Sequence, residues 1–400
     1  MLRLFLTLLL SALPSLADWS TYRGDNRRSG VSSESLQFPL KPRWTHQGGT
    51  PRQAWSGPAK WDAYSGNANL QSMRNFDPCH YVTVQGDLVY YGSSHDNAIH
   101  ALETATGRER WVAFTEAPVR LPPTIHDGLA YAGSDDGYLY ALNAADGTAA
   151  WKKRIAPTER RIPSNAGLIS LWPVRTSALI ANGSLYCAAS LTPWESSWLV
   201  QLDPANGEQK DVEELGGVTL QGSLLATSNS LIAPQGRSSP LLFDLNELTP
   251  KGTIGHAGGV FCIVTENDQV LAGPSSQKPK DSQLLLSNAE GKKIATFNDT
   301  NRAVLTDGTA YLHTRGSLKA FKYGEKGSEL WSVKTAIPSE LIVCGNAVLI
   351  GLGESIAAYD RADGSLLWET TIEGRVHGLA ISGGTLFAST SLGAIHAFAP

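Results

Sequence analysis

An eleven-residue phrase recurs along this chain, and the recurrence constrains the fold more than any single residue does. Residues 101–111 read ALETATGRERW and residues 141–151 read ALNAADGTAAW. AFKYGEKGSELW ends at Trp331 and AYDRADGSLLW at Trp368, with looser copies between them: QLDPANGEQK, FDLNELTPKG and LLSNAEGKK. The turn glycines are Gly107, Gly147, Gly207, Gly252, Gly291, Gly327 and Gly364, spaced by 40, 60, 45, 39, 36 and 37 residues. A period near forty marks a chain built from stacked copies of one supersecondary unit.

Upstream of the copies lies a second shared element. PTIHDGLAYAGS, SALIANGSLYCAAS, AVLTDGTAYLHT, LIVCGNAVLIG and LAISGGTLFAST each place apolar residues on both sides of a tight turn. Such turns between alternating runs are the hairpin signal. Hairpin plus phrase gives four antiparallel strands per repeat, here called A to D. Four-stranded units at this period predict an all-β fold, a β-propeller. Counting hairpins from VTVQGDLVYYGS to LAISGGTLFAST gives eight blades. The last repeat stops at strand C in LGAIHAFAP, whereas LKPRW near the start ends in Trp44 as a strand D does. The expectation is a single eight-bladed β-propeller, closed by an N-terminal strand that completes the last blade and leaves no free sheet edge. The 39 glycines and a charged fraction of only 18% suit many tight turns joining short strands.

The first residues, MLRLFLTLLLSALPSLA, carry one charge at Arg3, a short apolar run and small residues before position 18. This reads as a signal peptide over residues 1–17, cut after Ala17, with the propeller filling residues 18–400. No Cys follows the run at a lipid-attachment position. The expected location is periplasmic or secreted, with no membrane span after cleavage. Without residues 1–17 the chain has 32 basic and 37 acidic side chains, a balance that offers nucleic acid no basic footprint.

A propeller opens its D–A and B–C connections on one face and its A–B and C–D turns on the other. The A–B turns are uniformly short, as at Gly86-Asp87, Asp127-Gly128, Asn182-Gly183 and Asp307-Gly308. Insertions fall in the other class: residues 45–79, residues 152–174, and the loops LTPWESSW, PQGRSSP and GPSSQKPKDSQ. Long loops gathered on one face of a rigid scaffold predict a binding surface there. Trp55, Trp61 and Tyr64 make the first insertion aromatic.

Strand A lines the channel, so residues at its start face the mouth. Arg120 and Arg175 stand at the same level, eight residues before the turn glycine, and His80 beside Cys79 enters the first blade there. Arg302 and His377 fall within two residues of that level, and Trp172 and Arg237 lie in the loops of the same face. One reading is a partly cationic ring for a small anionic ligand. The other is that each arginine pairs with carbonyls or a neighbouring carboxylate. The pair Asp135-Asp136, before Gly137, falls where a B–C turn belongs and is explained by turn chemistry.

The phrases resemble the tryptophan-docking motif of the quinoprotein-like, PQQ-repeat propellers, roughly Ala-x-Asp-x-x-Thr-Gly-x-x-x-Trp. The matching stretches end at Trp111, Trp151 and Trp368, with weaker copies elsewhere. Trp44, Trp111, Trp151, Trp331 and Trp368 then read as structural clamps between blades, with Gly107, Gly147 and Gly364 giving the left-handed turn. The resemblance covers nearly all of the chain after the signal and is specific for fold. Its family includes quinone-dependent alcohol and glucose dehydrogenases, and also a non-enzymatic propeller lipoprotein of outer-membrane protein assembly. It therefore implies either a scaffold that binds a protein partner through the long-loop face, or a PQQ-dependent dehydrogenase with Ca²⁺. Such dehydrogenases hold the ion with Glu, Asn and Asp, and those acting on alcohols cover the quinone with a disulfide between adjacent cysteines. This chain has no adjacent cysteines. It also lacks the Gly-x-Ser-x-Gly, phosphate-loop, HExxH and CxxC patterns, so no catalytic residue and no metal ligand is assigned. Cys79, Cys187, Cys262 and Cys344 fall in alternate repeats, too far apart for a disulfide, and are expected to be free thiols.

Overall fold

A computed structural model describes residues 18–52, 54, 61–62, 67–68, 80–164, 167–236, 238–255, 258–259, 261–273, 283–322 and 328–400. The strands form eight four-stranded antiparallel sheets, each written by one repeat, and the chain is an eight-bladed β-propeller. Strand β1 (Lys41–Gln47) precedes a short pair, β2 (Trp61–Asp62) and β3 (Asn67–Ala68). Blade 1 is β4–β7 (82–114) and blade 2 is β8–β11 (124–154). A two-stranded hairpin, β12 (Arg161–Ser164) with β13 (Gly167–Ser170), follows. Blades 3 to 7 are β14–β17 (179–215), β18–β21 (225–253), β22–β25 (261–298), β26–β29 (300–334) and β30–β33 (340–371). Blade 8 is β34 (Val376–Ser382), β35 (Thr385–Thr390), β36 (Ala394–Ala399) and, as its outer strand, β1. The N-terminal strand expected to close the ring does so, with Trp44 opposite Ala397.

The register explains the repeated phrase. Trp111, Trp151, Trp331 and Trp368 stand opposite Ala101, Ala141, Ala320 and Ala358, so the conserved-looking alanine leaves space beside each indole. A bulge follows at every one of these pairs and turns the tryptophan toward the neighbouring blade. Each indole N–H then donates to a carbonyl in the next blade's approach to its own strand D: Trp44 to Thr104, Trp111 to Ala144, Trp151 to Pro204, Trp331 to Arg361. Trp368 closes the set by donating to Leu40, just ahead of β1.

Gly107 and Gly147 show why that position is glycine. Both have left-handed φ, +68° and +74°, and a Cβ on either would come within 2.5 and 2.6 Å of the indole of the preceding blade. Blades 3, 4 and 5 have no tryptophan in strand D; blades 3 and 5 carry Asp211 and Ala295 four residues after the turn glycine, and strand D of blade 4 reads PKGT. No indole lies against Gly252 or Gly291.

Between blades the core is mainly aliphatic, with tyrosine, phenylalanine and tryptophan rings among the aliphatic side chains. The largest cluster joins blades 7, 8 and 1 with Trp19, Leu36 and Leu40 of the N-terminal segment. Cys187, Cys262 and Cys344 are free thiols in blades 3, 5 and 7, as their spacing predicts, while Cys79 lies outside the described residues.

One feature was not legible as structure in the sequence. Residues 18–36 run around the inside of the ring at its short-turn end, bonding to blade after blade. Trp19 exchanges two backbone bonds with Val84 of blade 1, and Ser20 accepts from Ile125 of blade 2. Asn26 donates to Ile180 and accepts from Ala226, in blades 3 and 4, and Arg27 accepts from Val264 of blade 5. Gly30 and Ser32 bond Val343 of blade 7, and Glu34 accepts from Gly383 and Gly384 in the last A–B turn. The segment lines that end of the ring, and a pocket of about 330 Å³ lies beside its Trp19 and Asp25 and beside Leu305.

Candidate functional site

The irregular surface of the ring belongs to the long-loop face. The D–A connection after blade 2 begins beyond Arg154, because Lys152–Arg154 still belong to strand β11; β1 likewise takes Thr45–Gln47. Its hairpin β12–β13 lies across the face, tied by Arg161 to Glu116 at 2.5 Å and to Glu159 at 2.9 Å. Arg160 lies 3.8 Å from Glu195 in the B–C loop of blade 3. Ser170 donates its backbone N–H to Asp135, which fixes the hairpin's inner strand on blade 2. Beneath the hairpin a crevice of about 80 Å³ is lined by Arg52, Glu116, Arg120, Leu168 and Ile169.

The arginines singled out in the sequence meet there. Arg120 Nε donates to Asp135 Oδ2 at 2.7 Å, and Arg175 donates to both oxygens of Asp135, at 2.7 and 2.8 Å. All three side chains are buried. Burial raises the Asp135 pKa, but the two guanidinium groups outweigh it and hold the carboxyl below its ordinary value. Asp135 was expected to serve the turn, and this needs correction. Its neighbour Asp136 does the turn work, accepting from the Tyr138 N–H and the Tyr140 hydroxyl. Asp135 points inward as the shared counter-charge, a role that residue spacing could not reveal.

The other candidates are scattered. Arg302 donates to the carbonyls of Ser339 and Asn301 and lies over the Phe261 ring, with Arg23 over the same ring. Arg23 is itself paired with Glu340. His377 stacks on Tyr81. Trp172 is buried in the core between blades 2 and 3, and its indole nitrogen has no hydrogen-bond partner. His80 is buried with both ring nitrogens unpartnered. Arg237, Trp55 and Tyr64, and the side chain of Trp61, lie outside the described residues.

Sequence reasoning missed Arg28, which is fully buried in the N-terminal segment at the short-turn end. It donates to Leu224 O, Thr21 Oγ1 and Ser177 Oγ, all neutral acceptors, and burial lowers its pKa to about 10.

Large apolar side chains exposed in loops or at loop edges add a second signal. Phe114, Trp194 and Ile337 are each more than 60% exposed, and Leu168 and Leu392 about half. Every one lies in or beside a D–A or B–C connection. The other exposed large apolar residues, Val212, Ile294, Leu330 and Leu366, sit on outer strands D, and none among the described residues is in a short turn.

The described residues contain no group of three or more His, Cys, Asp or Glu side chains placed to hold a metal ion. Asp135, the carboxylate that two arginines share at the mouth, has both oxygens occupied.

A family model described as "Outer membrane protein assembly factor BamB" matches residues 50–232 and 314–399. The protein of that name from Escherichia coli is 32% identical over 117 residues, and that from Salmonella typhimurium 29% over 154. These matches span 27% and 36% of the relatives' lengths, and the same shares of this chain. Among solved structures, the quinohemoprotein alcohol dehydrogenase from Comamonas testosteroni superposes with a TM-score of 0.68 at 14% identity. That match covers 96% of this chain and 80% of the enzyme, a likeness of fold alone.

Proposed function

Since the chain belongs to the family described as outer membrane protein assembly factor BamB, we propose that it is an exported, non-enzymatic propeller that docks a protein partner on its long-loop face. The partner class this suggests is a component of outer-membrane protein assembly, from the name its relatives carry. The observation carrying the reading is the one-sided surface. Exposed apolar side chains at Phe114, Leu168, Trp194, Ile337 and Leu392 all sit at the long-loop end, and ion pairs of Arg161 with Glu116 and Arg160 with Glu195 tie down the elements that carry Leu168 and Trp194. Apolar groups left in water on rigid loops are what a partner interface uses for affinity. The opposite end is lined by the chain's own residues 18–36. Cleavage after Ala17 would release the chain into the periplasm or medium, and no helix among the described residues is long and apolar enough to cross a membrane.

A small anion at Arg120 and Arg175 is the weaker use of the face, because Asp135 already neutralises one of the two charges. The experiment is site-specific photo-crosslinking in envelope extract, with the probe at Leu168 or Trp194, or at Gly128 or Gly308 on the other face. Adducts to a defined protein from the first pair alone support the proposal. Adducts from the second pair alone, or from neither, reject it.

A further inference from the structure

Five of the nine histidines, distant in sequence, converge where blade 8 meets blade 1. Tyr91 is the hub. His100 stacks on it with ring centroids 4.6 Å apart, His80 meets it edge-on at 5.4 Å, and His46 Nε2 lies 3.1 Å from its hydroxyl. His95 and His377 are close enough to His80 to act on its charge. This boundary is the ring's closure, since His46 belongs to β1, the strand that completes blade 8.

His80 is the unusual member. It is 1% exposed, has no hydrogen-bond partner for either nitrogen among the described residues, and holds a left-handed φ of +64° that few non-glycine residues adopt. A proton added to such a ring is neither hydrated nor paired. Burial, reinforced by His377, His100 and His95, pushes its pKa down to about 3. Burial lowers that of His46 as well, with His100 adding to the effect and Glu109 opposing it.

The groups facing these rings come from every element around them. β1 gives His46, and strand β5 (Leu88–Ser93) gives the Tyr91 phenol. The following turn gives His95 and Asp96, β6 (Ala98–Glu103) gives His100, β7 (Glu109–Phe114) gives Glu109, and β34 gives His377. Both carboxylates are engaged by His100, Glu109 at 2.7 Å and Asp96 at 3.1 Å. Among the described residues neither His80 nor His46 has a carboxylate of its own.

We propose that this cluster is an acid-operated latch. Protonation of His80 and His46 expels their rings from the boundary and opens the seam between β1 and blade 1, while seams without the cluster stay shut. The observation that carries it is a buried, unpartnered, strained histidine set among four others at the one seam where distant chain segments close the ring.

Hydrogen exchange of the full mature chain, corrected for intrinsic rates at each pH, tests the latch. Between about pH 7.5 and pH 5, amides of residues 41–47 and 82–91 should open at least about tenfold more often. Those of blade 3 should not respond. His80→Asn keeps a residue that tolerates left-handed φ but cannot take the proton, and it should remove most of the difference. His46→Gln should reduce it and keeps a group able to hydrogen-bond Tyr91. Equal opening of the seam at both pH values overturns the proposal, as does a full-sized difference in both variants. If His80→Asn fails to fold at pH 7.5, a full-sized difference in His46→Gln alone overturns it.

Discussion

Trp111 docks on a glycine of the next repeat, Gly147, and not on the glycine four residues before it. Its Nε1 donates to Ala144 O at 3.0 Å, and its ring occupies the space where a Cβ on Gly147 would come within 2.6 Å. The phrase that looks like one motif is two halves of two contacts: a full repeat such as blade 1 or blade 2 receives an indole and offers one.

Gly147→Ala separates the two demands on that position. A left-handed alanine costs about 1–2 kcal/mol from backbone strain, and the clash with Trp111 adds to it, giving about 2–4 kcal/mol. Gly308→Ala is the control, with φ +69° and nothing within 4 Å of the added Cβ. Urea unfolding should show the larger loss at Gly147. Equal losses would mean the indole contributes nothing there.

Asp135→Asn should destabilise by about 3–5 kcal/mol, because Arg120 and Arg175 stay buried without their shared counter-charge. The native carboxyl has a depressed pKa, so its contribution is complete above the ordinary carboxylate range and is lost as pH falls through the folded value. Acid titration of stability should therefore flatten in the variant. An unchanged acid limb would show that Asp135 is not the group being titrated.

His80 acts at milder pH with the same sign. Its folded pKa of about 3 lies below the ordinary value of 6.5, so the unfolded chain takes up the proton first. Stability is full above about pH 6.5 and declines toward pH 3, by at most about 4–5 kcal/mol. His80→Asn should lose this component, read as a smaller drop in unfolding midpoint between pH 7 and pH 4.

Trp194→Asp and Leu168→Asp should leave unfolding within about 0.5 kcal/mol of the parent, since both side chains are more than half exposed. Capture of the cross-linked partner should fall at least about tenfold. Retained capture with both substitutions would place the interface elsewhere.

The blades were legible because repetition exposes register: the Ala-Leu, turn Gly and Trp of the phrase encode a pairing, a bend and a dock. The closing strand was legible because LKPRW ends as the repeats end. Residues 18–36 were opaque because they form almost no strand of their own and take their shape from seven different blades. The site was half legible. Spacing placed Arg120 and Arg175 at one level, but their partner Asp135 sits in a turn-like triplet whose local chemistry hides an inward-facing carboxylate. The histidine cluster was invisible for a simpler reason. Its members come from three separate strands and two turns, and only closing the ring brings positions 46 and 377 to position 80.

The staggered contact between repeats has an evolutionary consequence. Cut the chain at corresponding points in two successive repeats and the excised piece carries one indole donor and one glycine acceptor, each belonging to a different boundary. Duplicating or losing such a piece leaves every junction with a complete partner set. Copy number can therefore change by recombination without a compensating substitution. The arc through blades 3 to 5, none of which has a tryptophan in strand D, is where that grammar has lapsed, and a new unit spliced there would arrive without a matching neighbour.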